Sequence, residues 1–139
     1  MYARMTMPDV NLLHVLVAGV VAMVLGGLWY SPVLFAKTWA KLANINEEAA
    51  KKEAPMAYLK MFVTALISAY VLAVFVGFAG AATFGEGAMI GLWLWLGFIF
   101  TVTMSSVIFE KRSWKLWLIN NGYQLVLMLI SGGLLAAWK

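Results

Sequence analysis

The sequence predicts an all-α membrane protein with four transmembrane helices, and three observations support this fold class. Of the 139 residues, 64% are hydrophobic and only 12% are charged, and the mean hydropathy of +0.89 is far above that of a water-soluble domain. The apolar residues form four continuous runs, which argues against the alternating pattern of a β-barrel. Each run can cross about 30 Å of hydrocarbon at about 1.5 Å per residue. The length allows a single domain, residues 1–139.

The predicted spans are residues 10–30, 58–82, 87–109 and 114–138. Helices are expected because lipid cannot satisfy free backbone N–H and C=O groups. The first run could also be a secretory signal peptide. It ends, however, in Trp29-Tyr30-Ser31-Pro32 instead of a small-residue cleavage site, which favours a retained span.

The positions of the basic residues predict the orientation. Eight of the ten Lys and Arg residues lie in or beside two connections, between spans one and two and between spans three and four. They are Lys37, Lys41, Lys51, Lys52, Lys60, Lys111, Arg112 and Lys115. The remaining two, Arg4 and Lys139, lie near the termini. By the positive-inside rule, we expect a multi-pass protein of the cell (inner) membrane. Both connections then face the cytoplasm, and both termini face the outer side.

The first connection is more than a plain loop. Pro32 is expected to end or kink span one. Apolar residues then recur at helical spacing with Lys37 and Lys41 interleaved, which predicts an amphipathic interfacial segment: Leu34, Phe35, Trp39, Leu42 and Ile45. Asn44 and Glu47 have the spacing of a capping box and predict a second short helix over 47–53, closed by Pro55. A solvated linker is the alternative for 47–53.

Small residues recur at every fourth position and predict close packing of helices in lipid. Span three opens with Gly87 and Gly91. The stripes in spans one and two are Ala18, Ala22, Gly26, Ala65, Ala69, Ala73 and Gly77. The pattern leaves open whether the partner helix lies in the same chain or in a neighbour. Since four helices enclose little interior, we expect a homo-oligomer.

The two halves of the chain resemble each other locally. Residues 31–37 and 105–111 share Ser, Val, Phe and Lys at the same relative positions. Both segments lie where a span that runs inward is predicted to emerge into the cytoplasm. A parallel two-plus-two duplication would explain this match, and chance matching of common interface residues is the alternative.

The sequence lacks the residues that several kinds of chemistry require. The chain has no Cys and one His, so we expect no disulfide, no metal and no cofactor. None of the six acidic residues is predicted near the bilayer midplane, which weakens a proton-coupled transport mechanism. No nucleophile–base set can be assembled, so we expect no enzyme. The basic residues lie at membrane edges, so we expect a lipid bilayer as partner and no nucleic acid.

Uncharged polar residues form the main candidate site. Asn120 and Gln124 share one face of span four, and all the polar groups concerned lie in the cytoplasmic half of the bundle. The predicted ligand-binding residues are Trp29, Tyr30, Ser31, Asn120, Asn121 and Gln124. Amides in hydrocarbon must be paired, so they either fasten helices or bind a small molecule that the sequence does not identify. Asn11 and His14 form a second candidate site at the outer end of span one.

The run from Gly26 to Trp39 resembles the Gly-x-x-Trp-Tyr-x-Pro-x-x-Phe-Gly-Lys-x-Trp signature of the DUF1761 family of membrane proteins. Asn11 and the fourth-span opening, Trp114-Lys115-Leu116 followed by Asn120-x-Gly122-Tyr123-Gln124, are also similar to that family. Ala36 departs from the usual Gly. The resemblance implies a fold and signature positions but no substrate, because the family has no assigned function.

Two functional hypotheses follow from the sequence. In the first, the protein binds or passes a small solute through the polar site in the cytoplasmic half of the bundle. In the second, it is a non-catalytic structural or regulatory membrane protein that acts through homo- or hetero-oligomeric helix packing. The hypotheses differ in whether substitutions of Asn120 and Gln124 impair function or assembly first.

Overall fold

The computed structural model describes residues 6–138, apart from the side chain of Glu47, and within this range the secondary structure is entirely helical. The helices are α1 (Leu12–Trp29), α2 (Ala36–Leu42), α3 (Glu47–Ala79), α4 (Phe84–Ile108) and α5 (Trp114–Ala137). All except α2 are long and apolar enough to cross a membrane. The predicted all-helical class with four span-length helices is therefore confirmed. Arg4 and Lys139, which the orientation argument uses, lie outside the described residues.

Helix α5 lies at the centre of the bundle, where it packs against α1, α3 and α4. Helix α1 packs along α3, whereas α3 and α4 touch each other only slightly. Residues 30–46 and 109–113 lie at one end of the bundle, which we call the connection end. Residues 6–11, 80–83 and 138 lie at the other end, the terminal end. This arrangement leaves α3 and α4 separated toward the connection end.

The closest helix contact is between α4 and α5. Gly87 lies against the carbonyl group of Gly132, and Gly91 lies against the carbonyl group of Met128. Both α4 glycines are buried. Since any Cβ at these positions would overlap a backbone atom of α5, the small residues of span three pack within the chain.

The small residues of spans one and two also have partners in this chain. Ala18 and Ala69 share a buried cluster with Val15, and Ala73 packs against it. Ala22 and Ala65 meet in a second cluster. Gly26 faces the Tyr123 ring, and Gly77 faces Pro8. These contacts leave the homo-oligomer as a prediction.

The start of α3 differs from the predicted one. The separate short helix over 47–53 is wrong, since these residues form the first turns of a continuous 33-residue helix. The N-cap is Asn46, whose Oδ1 accepts hydrogen bonds from the backbone N–H groups of Glu48 (3.0 Å) and Ala49 (3.3 Å). Asn44 instead has a φ of 54° in the turn after α2. Pro55 lies inside α3 and does not end it.

Helix α3 extends well beyond one span. Thirty-three residues are about 50 Å long, about 20 Å more than the hydrocarbon core. The extra turns carry Glu48, Lys51, Lys52 and Glu53, whose side chains are exposed. A proline inside a helix removes one backbone hydrogen bond and crowds the carbonyl group four residues earlier, yet α3 continues through Pro55.

The other spans differ from their predicted bounds by a few residues, for identifiable reasons. Helix α3 ends at Ala79 because Gly80 adopts a φ of 68°. Helix α4 begins at Phe84, three residues early, because Thr83 and Glu86 form a capping box. The segment after α4 has no counterpart of α2, so the internal duplication stays a prediction.

Helix α4 is interrupted by a π-helical segment, Trp95–Phe100. Wider turns of this kind leave some carbonyl groups without their usual partner. Here the Thr101 hydroxyl donates to the Gly97 carbonyl and the Thr103 hydroxyl to the Ile99 carbonyl, both at 2.6 Å. The Trp95 Nε1–H donates to the Asn121 carbonyl on α5 at 3.0 Å. The segment is thus held in place beside the polar part of α5.

Candidate functional site

A cavity of about 610 Å³ lies at the connection end, in the cleft between α3 and α4, with α5 as its floor. This volume falls within the range of small-molecule sites, about 300–1,000 Å³. Its lining residues are Tyr30, Met61, Ile99, Thr103, Ser106, Glu110, Arg112, Ser113, Leu116, Trp117, Asn120, Asn121, Tyr123 and Gln124. Four of the six predicted site residues therefore meet at one cavity: Tyr30, Asn120, Asn121 and Gln124.

The floor is formed by three amide side chains of α5. The Asn120 Oδ1 accepts a hydrogen bond of 2.8 Å from the Tyr30 hydroxyl. The Asn121 Nδ2 donates to the Trp117 carbonyl of its own helix at 3.0 Å. Within residues 6–138, no hydrogen bond joins the Gln124 amide, the Asn120 Nδ2 or the Asn121 Oδ1 to another group. The floor therefore presents unused donors and acceptors to the cavity.

The α4 wall presents hydroxyl groups whose protons are already used. The Thr103 Oγ1 accepts a hydrogen bond of 3.0 Å from the Trp117 Nε1 while it donates to the Ile99 carbonyl. The Ser106 hydroxyl donates to the Thr103 carbonyl at 2.8 Å. Phe100 packs edge-on against Trp117, with ring centroids 5.3 Å apart. This wall is consequently fixed in position.

The mouth of the cavity carries opposite charges. Arg112 Nε lies 3.4 Å from Glu110 Oε2, and both side chains are about 60% exposed. An ion pair this exposed contributes little to stability, about 0–1 kcal/mol. Either group is therefore available to a ligand at little cost.

Trp29 and Ser31 do not line the cavity. The Trp29 Nε1–H donates to the Ile119 carbonyl at 2.8 Å, and the Tyr123 hydroxyl donates to the Ala22 carbonyl at 2.8 Å. These bonds attach α1 to α5 behind the cavity. Among the buried side-chain N and O atoms of the described residues, the Ser31 Oγ alone has no hydrogen-bond partner.

Asn11 and His14 have structural contacts at the terminal end. The Asn11 Oδ1 caps α1 by accepting from the backbone N–H groups of Leu13 (2.9 Å) and His14 (3.4 Å). The His14 ring stacks on Trp138, with centroids 3.9 Å apart. No group of three His, Cys, Asp or Glu side chains in the described part of the chain could hold a metal ion.

A family described as "Protein of unknown function (DUF1761)" matches residues 13–136. The chain belongs to the DUF1761 family. No curated protein and no solved structure matches it. The DUF1761 match runs from the first turn of α1 to the last turn of α5 and includes every residue that lines the cavity.

Sequence reasoning missed several lining residues of this DUF1761 protein. Met61 and Ile99 carry no polar group that would mark them in the sequence, while Arg112 and Glu110 were considered only as charged residues away from the bilayer midplane. Tyr123 offered the best signal, because it lies between Asn120 and Gln124 in the polar stretch of α5. The separation of α3 from α4, which creates the cavity, has no sequence signal.

Proposed function

We propose that this is a multi-pass protein of the cell (inner) membrane that binds a small solute in the cavity, or passes one from the cytoplasmic side, and catalyses no reaction. One observation carries the proposal. The amides of Asn120, Asn121 and Gln124 line a cavity of small-molecule size and keep unused hydrogen-bonding groups. These groups are accessible from the cavity. An amide group without a partner in apolar surroundings is costly, and a bound solute would supply the partners.

The proposed orientation rests on charge. Helix α2, the N-terminal part of α3, the segment before α5 and the first turn of α5 together carry eight basic residues at the connection end. The positive-inside rule places that end in the cytoplasm. The cavity mouth then opens toward the cytoplasm, and both termini lie outside.

Single-cysteine labelling tests the orientation, because the natural chain has no Cys to interfere. Ala50→Cys is exposed at the connection end, and Gly85→Cys is exposed at the terminal end. With a membrane-impermeant maleimide on intact cells, we expect labelling of Gly85→Cys alone. Ala50→Cys should react only after lysis. The reverse pattern would show that the cavity opens outward.

Gln124→Leu tests the solute site, because the Gln124 amide makes no hydrogen bond within the described chain. Native mass spectrometry of the protein in mild detergent should show one stoichiometric adduct on the wild type. We expect at least a tenfold loss of this adduct in Gln124→Leu, with an unchanged melting temperature. Ser105→Leu is the control, because Ser105 is exposed on α4 and lies outside the cavity.

The result can also contradict the proposal. Absence of a stoichiometric adduct from the wild type, or its full retention in Gln124→Leu, would rule the solute site out. A fall in melting temperature or a change of oligomer in Gln124→Leu would instead favour the structural alternative.

The alternative is a non-catalytic structural or regulatory membrane protein acting through homo- or hetero-oligomeric packing. A specific observation favours it too: the bonds from Trp29, Tyr30 and Tyr123 join α1 to α5 and need no ligand. In this case the polar residues serve to fasten helices.

A further inference from the structure

We infer that the occupant of the cavity is a membrane amphiphile with an anionic headgroup and one acyl chain in the cleft. This inference rests on the proposed function and specifies the class of solute. It depends on three features of the described residues: the side on which the cleft opens, the charge at its mouth and the apolar path along its wall.

The cleft opens sideways as well as at the connection end. Helix α3 contributes only Met61 to the lining, and Met61 is itself 50% exposed. Helix α1 contributes only its C-terminal cap, Tyr30, from behind. Helices α3 and α4 have few backbone contacts and pack through Leu72 and Val76 toward the terminal end. The gap between them therefore lies at the level of Met61, toward the connection end. In a bilayer this gap faces lipid, so a molecule with a hydrocarbon chain can enter without crossing water.

The mouth favours an anionic headgroup. The segment 110–115 carries Lys111, Arg112 and Lys115 against Glu110 alone. Arg112 lines the cavity, and its planar guanidinium group can bind a phosphate or carboxylate through two parallel hydrogen bonds. Its exposed pairing with Glu110 is too weak to prevent this. A headgroup with one negative charge therefore fits this end.

Polar and apolar groups are placed in the order that an amphiphile needs. The charged residues lie at the membrane edge, and Asn120 and Gln124 lie deeper on the floor. Gln124 is ten residues after Trp114, which corresponds to about 15 Å along α5 and about half the hydrocarbon thickness. Met61 and Ile99 flank the open side. The amides can hydrogen-bond glycerol or ester oxygens of the amphiphile. Its acyl chain runs along the cleft and reaches the lipid through the gap between α3 and α4.

Native mass spectrometry with defined probes tests this inference. The protein in mild detergent is exposed to equal concentrations of lysophosphatidylglycerol, lysophosphatidylcholine of the same chain length, and glycerol 3-phosphate. We expect one equivalent of lysophosphatidylglycerol to be retained at least tenfold more than either other probe. It should also displace the adduct found on the wild-type protein.

Two variants with matched controls assign the contacts. Arg112→Gln should lower lysophosphatidylglycerol retention at least fivefold, whereas Lys52→Gln, an exposed cation of α3 away from the cavity, should not. Met61→Trp should also lower lysophosphatidylglycerol retention, because the larger side chain blocks the path of the acyl chain. Met56→Trp is its control, because Met56 is 55% exposed on the same helix but lies outside the lining.

Other outcomes would overturn the inference. Equal retention of lysophosphatidylcholine would exclude selectivity for an anionic headgroup. Equal retention of glycerol 3-phosphate would exclude a contribution of the acyl chain to binding. A wild-type adduct that is a chain-free solute and resists displacement would contradict this inference but leave the proposed function standing. Absence of any single adduct would contradict both. If the wild-type protein retains no lipid but forms a dimer, and Met61→Trp dissociates that dimer, then a second copy of the protein fills the cleft.

Discussion

Gly87→Ala is expected to destabilise the protein, although alanine is the better helix former. The added Cβ would overlap the carbonyl group of Gly132 and lie 2.5 Å from the Cβ of Ala136. Because the obstacle is α5 backbone, only a separation of the helices relieves the overlap. Overpacking of this kind costs about 1–3 kcal/mol or more, whereas the gain in helix propensity is only about 0.5–1 kcal/mol.

Gly85→Ala is the matched control for this prediction. It lies two residues earlier on the same helix, and an added Cβ there meets no atom within 4 Å. We expect its melting temperature in detergent to equal or exceed that of the wild type, while that of Gly87→Ala falls. Equal melting temperatures for the two variants would contradict the close α4–α5 contact.

Trp29→Ala is expected to destabilise the bundle by about 3 kcal/mol, the lower end of the range for large aromatic residues replaced by alanine. The indole donates a hydrogen bond to the Ile119 carbonyl. Its ring lies against Gly122 on α5 and 5.1 Å from the Phe35 ring, measured between centroids. The substitution therefore removes the contact that holds the end of α1 and the start of the first connection against α5.

Denaturation of purified protein in detergent micelles measures this effect. Trp93→Ala is the control, because Trp93 is 63% exposed and its loss should cost less than about 0.5 kcal/mol, as is usual at surface positions. Trp29→Phe should lie between wild type and Trp29→Ala, since it keeps an aromatic ring but loses the hydrogen bond. A Trp29→Ala variant as stable as Trp93→Ala would mean that Trp29 acts only as a lipid-interface anchor.

Sequence reasoning located the spans because a bilayer imposes a strict requirement on apolar length, but it placed the start of α3 wrongly. The sequence predicts a helix end at Pro55, whereas Pro55 lies inside α3, eight residues after its start at Glu47. The true cap is Asn46, not Asn44. Capping depends on backbone dihedrals at single residues, and two asparagines two positions apart offer nearly the same local signal.

Four of the six candidate site residues line the cavity, and the other two do not. Helical spacing alone places Asn120 and Gln124 on one face of α5, and the span order places Tyr30 near their depth. Whether Trp29 and Ser31 point into the cavity or behind it depends on the rotation of α1 against α5. That rotation is set by the contacts of Gly26 and Ala22 with Tyr123, which lie about a hundred residues apart in the chain.

Four apolar helices of membrane-spanning length, basic residues gathered at one end and polar amides within one span can all be predicted from the amino-acid sequence. These properties follow from local composition and from the 3.6-residue period of a helix. The packing of Gly87 and Gly91 on α5, the separation of α3 from α4 toward the connection end and the cavity between them become visible only in the folded bundle. The reason is physical: in lipid, helices associate through shape and hydrogen bonds, and both depend on residues far apart in the chain.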